Sequence, residues 1–383
     1  MYKIKIPEYE IILRNCYSVR QPLFVTGGPG LGKSQVPRQI FRQVAKEEGK
    51  IFHEWSDLNL VQKEECILHP EKYWIFADMR TSQMDTTSLT GIPNMSRIDQ
   101  LENIPYSWVV YFTQPTAHGC IFFDELNLAP AIVQSITYSA IHDRVISDRC
   151  LSKYVYVFAA GNRSQDKAHT FDMPLPLRDR FAEAEIDVDL DSWINWALRS
   201  ELNSHLISFI KWKPANLYNA DIIKAEKPST PRGVERASRL IKNMRIQDFE
   251  DNSNDNPNQD KIHMLVSISC GESFASEFQA YCKVYRQLDW QAIMANPSSV
   301  GTMSLDKQYA ISAGIADQFK NTQDYQIRGK LLDVVDFLRQ DFAIFSYRMM
   351  RGEERDKFKT MMVKMGREVQ FAKQYAKFLL DVG

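Results

Sequence analysis

Apolar residues along the chain fall into short dense runs separated by stretches in which they recur at helical spacing. Leu23-Phe24-Val25, Tyr73 to Met79, Cys120 to Phe123 and Tyr154 to Ala160 are the dense runs, and Glu183 to Leu190 alternates apolar with charged positions. Each reads as a strand, and the segments between them, such as Ile132 to Ile141, read as helices. Strands apolar on both faces that alternate with helices predict an α/β fold on a five-stranded, mostly parallel sheet. Directly after the first strand, Val36, Ile40, Phe41 and Val44 take up helical spacing. Pro37 lies inside that helix and lacks an N–H, which predicts a tight or bent first turn without loss of the helix.

The second half of the chain changes character. From Trp193 to about Met244, residues such as Leu198, Leu202, Leu206, Val234 and Ala237 keep helical spacing, and so do Met264, Val266, Leu331, Val335 and Phe342 beyond residue 261. Residues 249–260 are acidic, amide-rich and almost without apolar groups, so they cannot bury enough surface to order themselves and read as a linker. The expected organisation is an α/β core over 1–190, a helical segment over 191–248, the linker 249–260 and a helical C-terminal domain over 261–383. Within the core, residues 54–72 read as peripheral and residues 94–118 as an insert whose Trp108, Tyr111 and Phe112 are expected in the core.

Composition adds limits. A chain of 383 residues, 44% apolar and 25% charged, can bury a large core in two or three domains. Its longest apolar run, Tyr154 to Ala160, is too short to span a bilayer, and Met-Tyr-Lys-Ile-Lys-Ile-Pro at the start holds no secretory apolar segment. A cytoplasmic location with no membrane partner is therefore expected. The six cysteines form no Cys-x-x-Cys pair, which favours reduced, mostly buried thiols over a zinc site. A formal charge of −1 argues against a surface given over to nucleic acid. Ala343 to Gly383 carries nine Lys/Arg against five Asp/Glu, which reads first as a solvated helix face and second as a docking surface.

The candidate chemistry begins in the turn between the first strand and its helix. Gly27 and Gly32 bracket four residues, and Lys33-Ser34 follow. Backbone N–H groups must point at phosphate oxygens without side chains in the way, and the loop must feed a helix N-terminus. The candidate nucleotide-binding residues are thus Gly27, Gly28, Pro29, Gly30, Leu31, Gly32, Lys33, Ser34 and Gln35, with Lys33 on the β and γ phosphates of ATP and Ser34 on Mg²⁺. Residues 3–20 are expected beside the base. Asp124, at the end of the third strand, is placed to hold the Mg²⁺ shell and Glu125 to orient the attacking water. Asn162, after the fourth strand, suits a residue that hydrogen-bonds the γ-phosphate or the water.

In order, Gly-Gly-Pro-Gly-Leu-Gly-Lys-Ser (27–34), Ala77-Asp78-Met79-Arg80 leading to Thr90-Gly91, Phe-Phe-Asp-Glu-Leu-Asn (122–127), Ala-Ala-Gly-Asn-Arg (159–163), Leu-Arg-Asp-Arg-Phe (177–181) and Ser-Thr-Pro-Arg (229–232) resemble the MoxR group of AAA+ ATPases. The resemblance covers about residues 20–245. It implies a helical lid over 191–248 and a homo-oligomer, commonly a hexameric ring, with each ATP between neighbours. It assigns Asp124 and Glu125 to the acidic motif and Asn162 to the sensor asparagine. Arg180 takes the place of the finger that reaches the next subunit's site, with Arg178 as its rival, and Arg232 that of the lid arginine sensing the γ-phosphate. The insert at 94–118 falls where MoxR-like proteins carry an extra element.

These assignments point to ATP hydrolysis that remodels or activates a protein partner. MoxR-type ATPases often work with a von Willebrand factor A domain protein. That domain's Asp-x-Ser-x-Ser motif does not occur here, so such a partner would be a separate polypeptide. A DNA-directed ATPase, a loader or translocase, is the alternative, supported only by the basic tail. A nucleotide-gated binder would have no use for Glu125 and Arg180.

Overall fold

The dense runs must pair with one another because each carries bulky groups on both faces, which only a sheet covered by helices on both sides can bury. The computed structural model describes residues 1–96, 102–163, 173–219, 227–242, 244, 257–350 and 352–366, with 257–260 described by backbone alone. Its strands are β1 (Tyr2–Ile4), β2 (Leu23–Gly27), β3 (Ile51–Glu54), β4 (Tyr73–Arg80), β5 (His118–Asp124), β6 (Val155–Gly161) and β7 (Ala182–Ile186). They form one parallel sheet in the order β1-β7-β2-β6-β5-β4-β3.

All five expected strands are present, but among the described residues the sheet has seven strands, because β1 and β3 extend its two edges. These are three and four residues long, Tyr-Lys-Ile and Ile-Phe-His-Glu; β1 is exposed apart from Ile4, and β3 is exposed at Ile51 and half-buried beyond it. Short, partly polar edge strands lack the apolar run that marks a buried one. The fifth expected strand is also shorter than Glu183 to Leu190. It ends at Ile186, where the Asp187 carboxylate accepts the Val188 N–H at 2.9 Å, and Leu190 opens the helix Leu190–Arg199.

Two helices set the site. α1 (Ile6–Val19) precedes β2, and α2 (Gln35–Glu47) follows it. Pro37 is the third residue of α2, where the N–H would have no intrahelical partner in any case, so the helix keeps its full length. Phe41, fully buried on α2, stacks on Trp74 of β4 with ring centroids 5.0 Å apart and also meets Phe76, Tyr156 and Phe158. On the opposite face the alternate residues Ile75, Ala77, Ile121, Phe123, Val157 and Ala159 pack with Trp108, Tyr111 and Phe112 of the insert. The insert's aromatics are core.

The chain divides into two compact units, Met1–Asp189 and Leu190–Gly383. The second is helical. Its helices Ser204–Trp212 and Leu305–Asn321 are joined by buried His205, whose Nε2 lies 2.6 Å from the Asp317 carboxylate, and by the Ser208 hydroxyl, which donates to the Tyr309 carbonyl at 2.8 Å. Of the expected linker, 249–256 lie outside the described residues and 257–260 form the first turn of the helix Pro257–Cys270. Proline at the first helical position needs no N–H partner and brings a φ already suited to the helix. Of the cysteines, Cys150 is exposed, the other five are buried, and all are free. No helix among the described residues is long and apolar enough to cross a membrane.

Because Phe41 joins α2 to two strands at once, Phe41→Ala is expected to lower stability by about 3–5 kcal/mol. Denaturant unfolding of the two proteins checks it.

Candidate active site

The order of the strands makes a crevice. After β2 the chain crosses to β3 on one side, whereas after β6 it crosses to β7 on the other, and β2 and β6 are neighbours. Connections leaving adjacent strands in opposite directions open a gap at the carboxyl ends, the usual ligand site of an open parallel sheet. The loop after β2, the end of β5 and the residue after β6 all arrive there.

The loop is shaped by its glycines. Gly30 and Gly32 have φ of 78° and 87°, a conformation that a side chain would strain. Gly28 and Leu31 are buried, Pro29 is exposed, and Gln35 opens α2 facing solvent. Beneath the loop, Tyr9 of α1 donates its buried hydroxyl to the Lys33 carbonyl at 3.1 Å. Burial first, and then the Asp124 carboxylate, push the Tyr9 phenol well above its usual pKa, so it stays a donor. The ammonium of Lys33 donates to the carbonyls of Gly27 and Gly28 and to Oδ1 of Asn162, the last at 2.9 Å. A lysine ammonium on a glycine-rich loop that feeds a helix N-terminus is arranged for an anion.

Ser34 and Asp124 meet across the crevice, the hydroxyl donating to Oδ2 at 2.8 Å. Magnesium holds oxygens at about 2.0–2.1 Å in an octahedron, so neighbouring ligands lie about 2.9 Å apart, close to this spacing. One carboxylate and one hydroxyl, both hard donors, suit an ion that keeps several waters and takes phosphate oxygens as well. The pair therefore fits Mg²⁺.

Glu125 follows in a left-handed turn, φ 58°, that redirects its side chain from the strand. Its N–H donates to Oδ1 of Asp124 at 2.9 Å, and its carboxylate accepts a hydrogen bond from the Ser82 hydroxyl. Buried Thr81 donates to the Asp124 carbonyl at 2.8 Å. Asn162 is fixed by Asn127: Nδ2 of Asn127 donates to the Asn162 carbonyl at 2.7 Å, and Oδ1 accepts the Asn162 N–H at 3.0 Å. Gly161 allows this approach, since a Cβ there would stand 2.5 Å from Oδ1 of Asn127.

Lys33, Ser34, Asp124, Glu125 and Asn162 are thus brought to one end of the sheet, and the arginines are not. Arg180 precedes the amino end of β7, and its carbonyl accepts from Gln21, just ahead of β2, at 2.9 Å. The loop follows the carboxyl end of β2, some five strand residues or about 17 Å further along. The Arg180 side chain is exposed, and among the described residues no carboxylate pairs with it. Arg178 is held in a two-point pair with Glu183, at 2.7 and 2.9 Å, and these hydrogen bonds raise its pKa. Arg232 lies in the second unit, exposed in the first turn of the helix Pro231–Leu240, behind a Thr230 hydroxyl that accepts the Gly233 N–H at 3.0 Å.

Sequence reasoning did not single out Tyr9, Thr81, Ser82 or Asn127. Asn127 lay within the run Phe-Phe-Asp-Glu-Leu-Asn, but its partner is 35 residues away. Only the pairing of β5 with β6 brings them together.

No family model matches the sequence, and no curated protein matches it. Among solved structures the chain is similar to NtrX of Brucella abortus in complex with ADP, at a TM-score of 0.32 and 11% identity over 97% of this chain and 67% of that one. It is also similar to the ORC2 protein of Aeropyrum pernix, at a TM-score of 0.34 and 10% identity over 94% and 85% of the two chains. A third is the RuvB Holliday junction branch migration motor of Thermotoga maritima, at a TM-score of 0.28 and 14% identity over 76% and 74%. Likenesses of this size carry no function to this chain.

Asn127→Ala would strip two backbone groups of Asn162 of their partners. Both groups are partly buried, so the expected loss is about 0.5–1.5 kcal/mol for each hydrogen bond removed. Hydrogen exchange at residues 160–163 is expected to quicken relative to the rest of β6.

Proposed function

We propose that this chain is a magnesium-dependent ATPase of AAA+ type, similar to the MoxR group, whose turnover acts on a protein partner. The observation that carries the reading is the convergence of Lys33, Ser34, Asp124 and Asn162 at the crevice between β2 and β6, with the Ser34 hydroxyl 2.8 Å from Asp124. A phosphate loop with no acid beside it could bind nucleotide alone. Here the acid at the strand end already contacts the serine of the loop.

In this reading the loop N–H groups cradle the phosphates, and Lys33 exchanges its carbonyl partners for β- and γ-phosphate oxygens. Ser34 and Asp124 hold the ion, which when bound neutralises charge building on the phosphates. Glu125 leaves Ser82 to orient and accept a proton from water, and Asn162 donates its amide to the γ-phosphate or to that water. Arg180, at the far end of the sheet from its own loop, serves the site of an adjoining copy, and Arg178 is committed to Glu183. Arg232 senses the γ-phosphate from the lid. The assembly is a homo-oligomer, a hexameric ring on the MoxR resemblance, and its partner a separate von Willebrand factor A domain protein or another protein client.

Glu125→Gln is expected to lower ATP turnover by about 10²–10⁴-fold while leaving ATP binding intact. Lys33→Ala is expected to abolish binding. Unchanged phosphate release by Glu125→Gln would show that another group activates the water.

A further inference from the structure

Ser34 and Arg38 stand one turn apart on the same face of α2 and meet two residues on the same face of the sheet. Ser34 meets Asp124, and Arg38 pairs with Asp78 and, through Nε at 2.9 Å, with Glu54. The register sets this second rung beside the first, since Arg80 of β4 is level with Asp124 of β5 and Asp78 is level with Phe122. Alternation along the strands then turns Asp78 and Asp124 toward the same helix. Only one oxygen of Asp78 is accounted for by Arg38. Oδ1 is buried and has no hydrogen-bond partner among the described residues.

A buried carboxylate oxygen without a donor is costly, and such groups in native structures await a water or an ion. The first ligands of a magnesium ion are few, and the rest of its shell is water that must itself be oriented. We infer that Asp78 is a positioning residue of the metal site, its free Oδ1 accepting a hydrogen bond from a water of the Mg²⁺ shell while Arg38 holds its other oxygen. This rests on the nucleotide reading of the same crevice. It also explains why Arg38, partly exposed at the surface of α2, is paired with two acids, Glu54 and Asp78.

The test needs no turnover. Binding of a fluorescent ADP analogue is measured while Mg²⁺ is titrated, in wild type, Asp78→Asn and Arg38→Gln. Asp78→Asn is expected to raise the Mg²⁺ concentration at half-effect by about 10–100-fold. Its affinity for metal-free ADP is expected to stay within about twofold of wild type, because the loop is untouched. Arg38→Gln, which keeps the carboxylate, is expected to shift Mg²⁺ dependence less. An unchanged Mg²⁺ midpoint in Asp78→Asn overturns the inference, as does an equal loss of metal-free binding or an equal shift in Arg38→Gln, which would assign the effect to the helix clamp. If Asp78→Asn fails to fold, Asp78→Ser, with room for a water in place of the carboxylate, is read in the same titration. Wild-type protein that binds ADP with no response to Mg²⁺ would instead remove the metal site itself, and that arm is read before any variant.

Discussion

The hydrogen bond from Ser34 to Asp124 is the point at which the two halves of the crevice are measured against each other. It spans 2.8 Å between the first turn of α2 and the end of β5, and each side is fixed by different forces. On the helix side, two glycines in left-handed turns let the loop fold back, and Tyr9 holds it from below. On the sheet side, β5 is flanked by β6 and β4, and Thr81 ties the Asp124 carbonyl in place. Phe41 sets the distance between the two, filling the space over Trp74, Phe76 and Phe158. A helix that rode higher on the sheet would leave serine and carboxylate too far apart to share one ion.

The same parallel arrangement divides the remaining chemistry by end. Loops at the carboxyl ends carry Lys33, Ser34, Asp124, Glu125 and Asn162, and the segment entering β7 carries Arg178 and Arg180 at the amino end. An arginine spans too little to bridge the length of a strand. Arg180 therefore has no use at its own loop, and its exposure leaves it available to a neighbouring molecule. Arg178 stands two residues earlier and is consumed by Glu183. Two residues that look equivalent in Leu-Arg-Asp-Arg-Phe are separated by what stands beside them.

Much of this was legible in the sequence, for reasons that also explain the remainder. The glycine spacing, the lysine and serine, and the acid pair at a strand end are local patterns, so neighbours along the chain suffice to read them. β1 and β3 escaped because an edge strand needs no apolar run, and the strand at Glu183 was overextended because alternation continues through Val188 and Leu190 after the ladder has ended. Asn127 and Ser82 were invisible for another reason: their partners, Asn162 and Glu125, are brought near only by strand pairing. Asp78 lies between: period-two alternation sets it on one face of β4, and the register of β4 against β5 then makes this the face of Asp124.

The proposal that an arginine from one copy completes the ATP site of another is open to complementation between disabled variants. Arg180→Ala keeps an intact loop but lacks the donated arginine, and Lys33→Ala lacks the loop but keeps the arginine. The account predicts that each is inactive alone and that mixing them restores ATP hydrolysis, because some interfaces then hold an intact loop opposite an intact arginine. A mixture no more active than its parts, or Arg180→Ala hydrolysing ATP alone at the wild-type rate, would contradict it.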